Sequence, residues 1–124
     1  MNRTPRPVYR NLLEFRFPAT AITSLLHRMS GALLFLALPI SIYGLDHSLQ
    51  GGGMADLQRL WQLWPLRLAV ALSGWALLHH WLAGWRFLFL DVDLGSTLTT
   101  ARFTARLLNT ISVAGLLFIV GLLL

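Results

Sequence analysis

The sequence contains no cysteine, and its ten basic residues are all arginine, because lysine is absent as well. Without cysteine the chain cannot form disulfides, ligate an iron–sulfur cluster through thiolates or attach a c-type haem covalently. Acidic residues number only five, and charged residues make up 12% of the chain. That is about half the usual share, while hydrophobic residues reach 56%, so an ordinary soluble domain is excluded. The net charge of +5 raises the question of nucleic acid. The arginines are spread along the chain at the edges of apolar runs, however, and do not cluster with aromatics. They fit a membrane boundary better, and no nucleic-acid partner is expected.

Three long runs lack any formal charge. One extends from Met29 to Leu45, one from Leu68 to Trp85 between Arg67 and Arg86, and one from Leu107 to Leu124 after Arg106. Each comes near the roughly 20 apolar residues that cross a ~30 Å hydrocarbon core, with arginines placed to snorkel to the interface. The expected fold is therefore an all-α integral membrane domain spanning 1–124, with three transmembrane helices at about 20–45, 65–90 and 101–123. Pro18 and Thr20 supply start signals for the first, and Pro65 sits where a first turn tolerates it. The glycine run Gly51-Gly52-Gly53 marks a loop over 46–53, and residues 54–64 suit a short surface helix carrying Trp61 and Trp64. Residues 1–19 are too polar to span and too apolar for a free tail, so they are expected to lie on the interface or against a soluble partner. Their arginines and prolines leave no export-signal core.

Arginine counting orients the chain. Arg3, Arg6, Arg10 and Arg16 precede the first run and Arg86, Arg102 and Arg106 flank the second connection, against Arg59 and Arg67 in the first. The positive-inside rule then puts the N-terminus in the cytoplasm of a bacterial cell, with the chain in its inner membrane. Three helices form a thin bundle with one buried seam, so a large cofactor would need helices from partner chains. A heteromeric bundle follows.

Ser24, His27, Arg28 and Gly31 stand at i, i+3, i+4 and i+7, one face of a helix. Ionisable groups inside an apolar run are costly and mark function by default. A hydroxyl beside a guanidinium suits a carbonyl oxygen that gains negative charge on reduction, and a guanidinium also pairs with carboxylates. The plainer reading has Ser24 packing while His27 and Arg28 reach to headgroups. His79 and His80 point about 100° apart, so they cannot serve one group together. His80 shares a face with Ser73, Leu77 and Gly84, small enough in part for a flat macrocycle beside an imidazole ligand; otherwise it bonds across helices. His47 reads as a solvated loop residue, and Arg86 with Asp91 as a boundary pair.

Residues 16–31, RFPATAITSLLHRMSG, resemble the first-helix motif S-x-x-H-R-x-[ST]-G of the cytochrome b subunit of succinate dehydrogenase. Residues 80–91, HWLAGWRFLFLD, resemble its second-helix motif H-x-x-x-G-x-R-[H]-x-x-x-D. The Arg6-Pro7 opening and the length agree, so the resemblance covers essentially the whole chain. It implies one of two membrane anchors of a four-subunit succinate:quinone oxidoreductase, whose partners are a flavoprotein subunit, an iron–sulfur subunit and a second anchor. It implies a haem b shared between the anchors, and ubiquinone as electron acceptor. By position, Ser24 and Arg28 fall on quinone contacts, His27 and Arg28 near the haem propionates, and His80 on the axial iron ligand. Phe87 departs from the motif, standing where a histidine often follows the arginine. An anchor of a quinol:fumarate reductase and a haem-free structural anchor are the alternatives.

Overall fold

The computed structural model describes residues 17–123, which form four helices: α1 (Ala19–Ser48), α2 (Gly53–Trp61), α3 (Trp64–Asp91) and α4 (Leu98–Leu123). The interfacial segment expected over 1–19 falls almost wholly outside the described residues.

Local chemistry fixes the ends of these elements. Pro18 is extended, and its carbonyl accepts from the amides of Ala21 and Ile22 at 2.9 and 3.2 Å, opening α1. Gly52 caps α2 at φ 90°, a left-handed setting that costs glycine least. Leu63 is extended and Pro65 lies in the first turn of α3, where the missing amide proton is no loss. After α3, Asp93 and Gly95 both take positive φ, and the Leu94 amide returns to the Phe89 carbonyl at 2.9 Å. The Thr97 hydroxyl accepts from the Thr100 amide at 3.4 Å, an N-cap for α4.

Helix α3 packs against both α1 and α4, which also touch one another, while α2 closes the α1–α3 end of the molecule. The interior is made of small and polar side chains. Ala71, Ala76, Ala83 and Ala105 are buried together with Thr23, Ser30, His79, Arg86 and Ser112; Leu108 is the one large apolar side chain buried among the described residues. The exterior is the reverse, with Phe35, Ile40, Tyr43, Leu117 and Phe118 all more than two-thirds exposed. In water each such side chain would forgo roughly 1.5–3 kcal/mol of burial. In lipid that driving force vanishes, and helices associate through small residues and interhelical hydrogen bonds instead. The packing is that of a membrane bundle.

The expected count of three transmembrane helices is not what the structure supports. Two helices, α1 and α4, are long and apolar enough to cross a membrane. At 28 residues α3 has the length, but Trp64, Trp75, Trp81 and Trp85 and the paired histidines hold down its hydropathy. The uncharged run Leu68–Trp85 concealed this, because absence of charge is a weaker criterion than apolarity. The arginine-based orientation presupposed three crossings and loses its basis with them. The all-α membrane character stands.

Candidate functional site

The polar side chains of the bundle gather in one layer, where α1 residues 23–31 meet α3 residues 79–87 and α4 residues 101–112. In its α1–α3 seam the rings of His27 and His80 stack, with centroids 4.2 Å apart and planes 7° from parallel. Phe87 backs His27 at 5.2 Å with a 58° tilt, so the departure from the motif fills space beside an imidazole. Two glycines make room for the pair. A Cβ on Gly84 would stand 3.8 Å from His27 Nε2, and one on Gly31 only 3.0 Å from His80 Cε1. The small face expected around His80 is thus partly supplied by α1, and Gly84 accommodates His27.

The tautomer of the neutral His80 ring follows from its partners. Its Nδ1 lies 3.1 Å from the His27 carbonyl and 3.3 Å from Ser30 Oγ, while the Ser30 hydroxyl donates to that same carbonyl at 2.9 Å. A carbonyl only accepts and the hydroxyl proton is already used, so Nδ1 carries the ring proton. The lone pair therefore sits on Nε2, which has no hydrogen-bond partner among the described residues. This is the state of an imidazole ready to ligate a metal, with its other nitrogen held from behind. Among the described residues no group of three or more histidine, cysteine or carboxylate side chains is placed to hold an ion. Beside Gly31 a groove of about 660 Å³ opens between α1 and α3, lined in part by Leu34, Ser73, Gly74 and Leu77.

His79 points elsewhere. It is fully buried and its Nδ1 meets Ser112 Oγ of α4 at 2.9 Å, with the Trp75 ring 5.6 Å away. Its Nε2 is buried without a hydrogen bond, although the Thr23 backbone of α1 interacts with the ring. Ser24 is half-buried and Arg28 exposed on α1. Neither has a hydrogen-bond or ion-pair partner among the described residues, where the ion pairs are His47–Asp56 at 3.5 Å and Arg59–Asp56 at 3.8 Å. The structure therefore joins His27, His80 and Gly31 and leaves Ser24 and Arg28 on an open flank.

Two boundary expectations change. Arg86 does not pair with Asp91: it is buried and donates through Nε to Thr104 Oγ1 at 3.1 Å and through Nη2 to the Ala101 carbonyl at 2.9 Å. His47 belongs to the last turn of α1, which runs longer than the apolar pattern alone suggested. Sequence reasoning also passed over Thr23, which donates to the Ala19 carbonyl or to Asn109 Oδ1, both at 3.0 Å. Asn109 was the available signal, an amide inside an apolar run that needs a cross-helix partner.

Residues 2–121 match the family described as succinate dehydrogenase/fumarate reductase transmembrane subunit. The chain belongs to that family. A succinate dehydrogenase cytochrome b556 subunit of Coxiella burnetii (strain RSA 493 / Nine Mile phase I) is 35% identical over 105 residues, covering 81% of this chain and 82% of the relative. A protein of the same description from Paracoccus denitrificans is 30% identical over 109 residues, 87% and 84% of the two chains. The polar layer thus belongs to a transmembrane subunit of the cytochrome b type, part of a larger succinate dehydrogenase or fumarate reductase assembly.

Proposed function

We propose that this subunit anchors a succinate:quinone oxidoreductase in a bacterial inner membrane, with an iron–sulfur subunit, a flavoprotein subunit and a second anchor as partners. In this reading it helps to pass electrons from the iron–sulfur subunit to ubiquinone. The observation that carries the reading is His80: its Nδ1 proton is committed to the His27 carbonyl and Ser30, and its Nε2 lone pair is unspent. The names of the two relatives, both cytochromes b556, supply the group that such a lone pair suits. A b-type haem would add a one-electron centre beside the route to quinone. His80 would hold it, and the groove beside Gly31, with Ser73 and Gly74 in its lining, would leave room for a flat ring. A second ligand would come from the other anchor, since the His27 ring lies stacked against the face of His80 and not opposite its Nε2.

Arg28 suits a carboxylate such as a haem propionate, through its planar fork, with His27 one residue away. Ser24, one turn earlier, would share with Arg28 the task of orienting the quinone. As the quinone carbonyl is reduced, its oxygen gains negative charge. A hydroxyl and a guanidinium donating to that oxygen stabilise the charge at no cost in reorganisation. Their lack of partners among the described residues leaves their donors available. A fumarate reductase anchor would use the same groups with the opposite electron flow.

The test is the optical spectrum of the purified complex. His80→Ala is expected to lose the reduced b-type α-band, and His79→Phe to retain it. Retention in the His80 variant and loss in the His79 variant would reverse the ligand assignment. A spectrum without an α-band in the native complex would favour a haem-free anchor.

A further inference from the structure

His79 is a buried titratable side chain that the proposed function does not use. Its ring is fully enclosed; its one hydrogen bond of good geometry among the described residues is to Ser112, and the Thr23 backbone of α1 is the other polar group beside it. Successive helical residues project about 100° apart. His79 is therefore fastened to α4 while His80 is fastened to the His27 carbonyl and Ser30 of α1. Two adjacent residues thus tie α3 to its two neighbours at one level. Side chains reach about 5–6 Å from a helix axis, so a turn of α3 by about 10° would carry the His80 ring about 1 Å sideways. A shift of that size is enough to break a 3.1 Å hydrogen bond.

We propose that the His79–Ser112 hydrogen bond sets the rotation of α3 and thereby the aim of the His80 ring. His79 and Ser112 are positioning residues, and α4 takes part in the site without touching it. The proposal rests on the reading of His80 as an axial ligand. It explains why a polar pair is kept among the buried alanines Ala76, Ala83 and Ala105, two turns from the Arg86 bonds to Thr104 and the Ala101 carbonyl. An apolar pair of similar shape would hold the helices together equally well, but dispersion contacts have no preferred direction. A 2.9 Å hydrogen bond does.

The experiment uses the assembled complex with Ser112→Ala, Ser112→Thr and the double variant His79→Phe/Ser112→Ala. The double variant removes the polar pair without leaving an unpaired buried imidazole. The readouts are haem content, the midpoint potential, and the low-field g value of the ferric haem, which follows the orientation of its axial imidazole planes. The double variant is expected to keep wild-type haem content with a shifted g value and potential. Ser112→Ala is expected to shift both as well, and Ser112→Thr to restore them. A wild-type g value and potential in the double variant, or its failure to assemble, would overturn the proposal and leave His79 a packing residue. Failure of the underlying reading looks different: His80→Ala would keep its haem.

Discussion

Replacing Gly31 by alanine puts opposing effects in competition at one atom. The gain is helical propensity, because glycine inside a helix costs about 0.8–1 kcal/mol relative to alanine. The loss is steric. The new Cβ would stand 3.0 Å from His80 Cε1 and 3.4 Å from Nδ1, whereas carbon atoms rest at about 3.5–4.0 Å. The ring must therefore retreat by a few tenths of an ångström. It has little freedom, since its face is stacked on His27 and Phe87 stands behind that ring. Retreat from α1 also lengthens the Nδ1 bonds to the His27 carbonyl and Ser30, now 3.1 and 3.3 Å, past the useful range. Overpacking costs about 1–3 kcal/mol and a lost hydrogen bond about 0.5–1.5 kcal/mol. After the propensity gain, Gly31→Ala should destabilise by about 0.5–4 kcal/mol. Gly44→Ala is the control: it lies in the same helix with nothing within 4 Å of a new Cβ, so it should gain up to about 1 kcal/mol. Thermal melting of the assembled complex measures both, with the haem absorbance as a local probe. If Gly31→Ala melts at or above Gly44→Ala with unchanged absorbance, the close approach of α1 to His80 is not constraining.

The remaining expectations concern the rest of the polar layer. Arg86→Met removes two charge-assisted bonds to α4, each worth about 1.5–3 kcal/mol, so it should lower the melting midpoint of the complex more than Arg86→Lys does; equal midpoints for Met, Lys and wild type would show the bonds to be idle. Thr23→Val breaks the link to Asn109 and should cost about 0.6–1.7 kcal/mol, the range of interhelical bonds in membranes. Thr110→Val, whose hydroxyl bonds only its own helix at the Arg106 carbonyl, should stay near wild type, and an equal loss in both would deny Thr23 its cross-helix role. Ser24→Ala and Arg28→Ala should each lower the ratio of succinate–quinone to succinate–dye activity by about 10²–10³ if each supplies an oxyanion donor. A wild-type ratio in both would place the quinone elsewhere.

How far the residues could be read in advance depended on whether their signal was local. The facing of Ser24, His27, Arg28 and Gly31 follows from helical spacing alone, and the divergence of His79 from His80 is a matter of 100° per residue. The partners of those side chains are another matter. Nothing local says that Gly31 of α1 makes room for His80 or that Ser30 holds its nitrogen, because that depends on the relative setting of two helices. Arg86 shows the same limit: Asp91 is near in sequence, yet the guanidinium turns to Thr104 and the Ala101 carbonyl across the α3–α4 seam. The number of spans was misread for a different reason. A lack of charge over Leu68–Trp85 is not apolarity, because histidine, tryptophan, serine and glycine carry no formal charge and add little hydropathy.

The hydrogen bonds that join α1, α3 and α4 among the described residues all fall in one half of the bundle, from Ala19 to Ser30, His79 to Arg86 and Ala101 to Ser112. Past that layer α4 meets α3 through apolar contacts such as Ile119 over Gly74, and in α1 Pro39 leaves one backbone carbonyl without its usual donor. At the opposite end α2 and the His47–Asp56 contact tie α1 to α3, which leaves the far end of α4 the compliant part, like a reed gripped at its base. A thicker or thinner bilayer can be accommodated by tilting the far end of α4. The His27–His80 pair sits in the grip, so such strain dies away before it reaches the imidazoles.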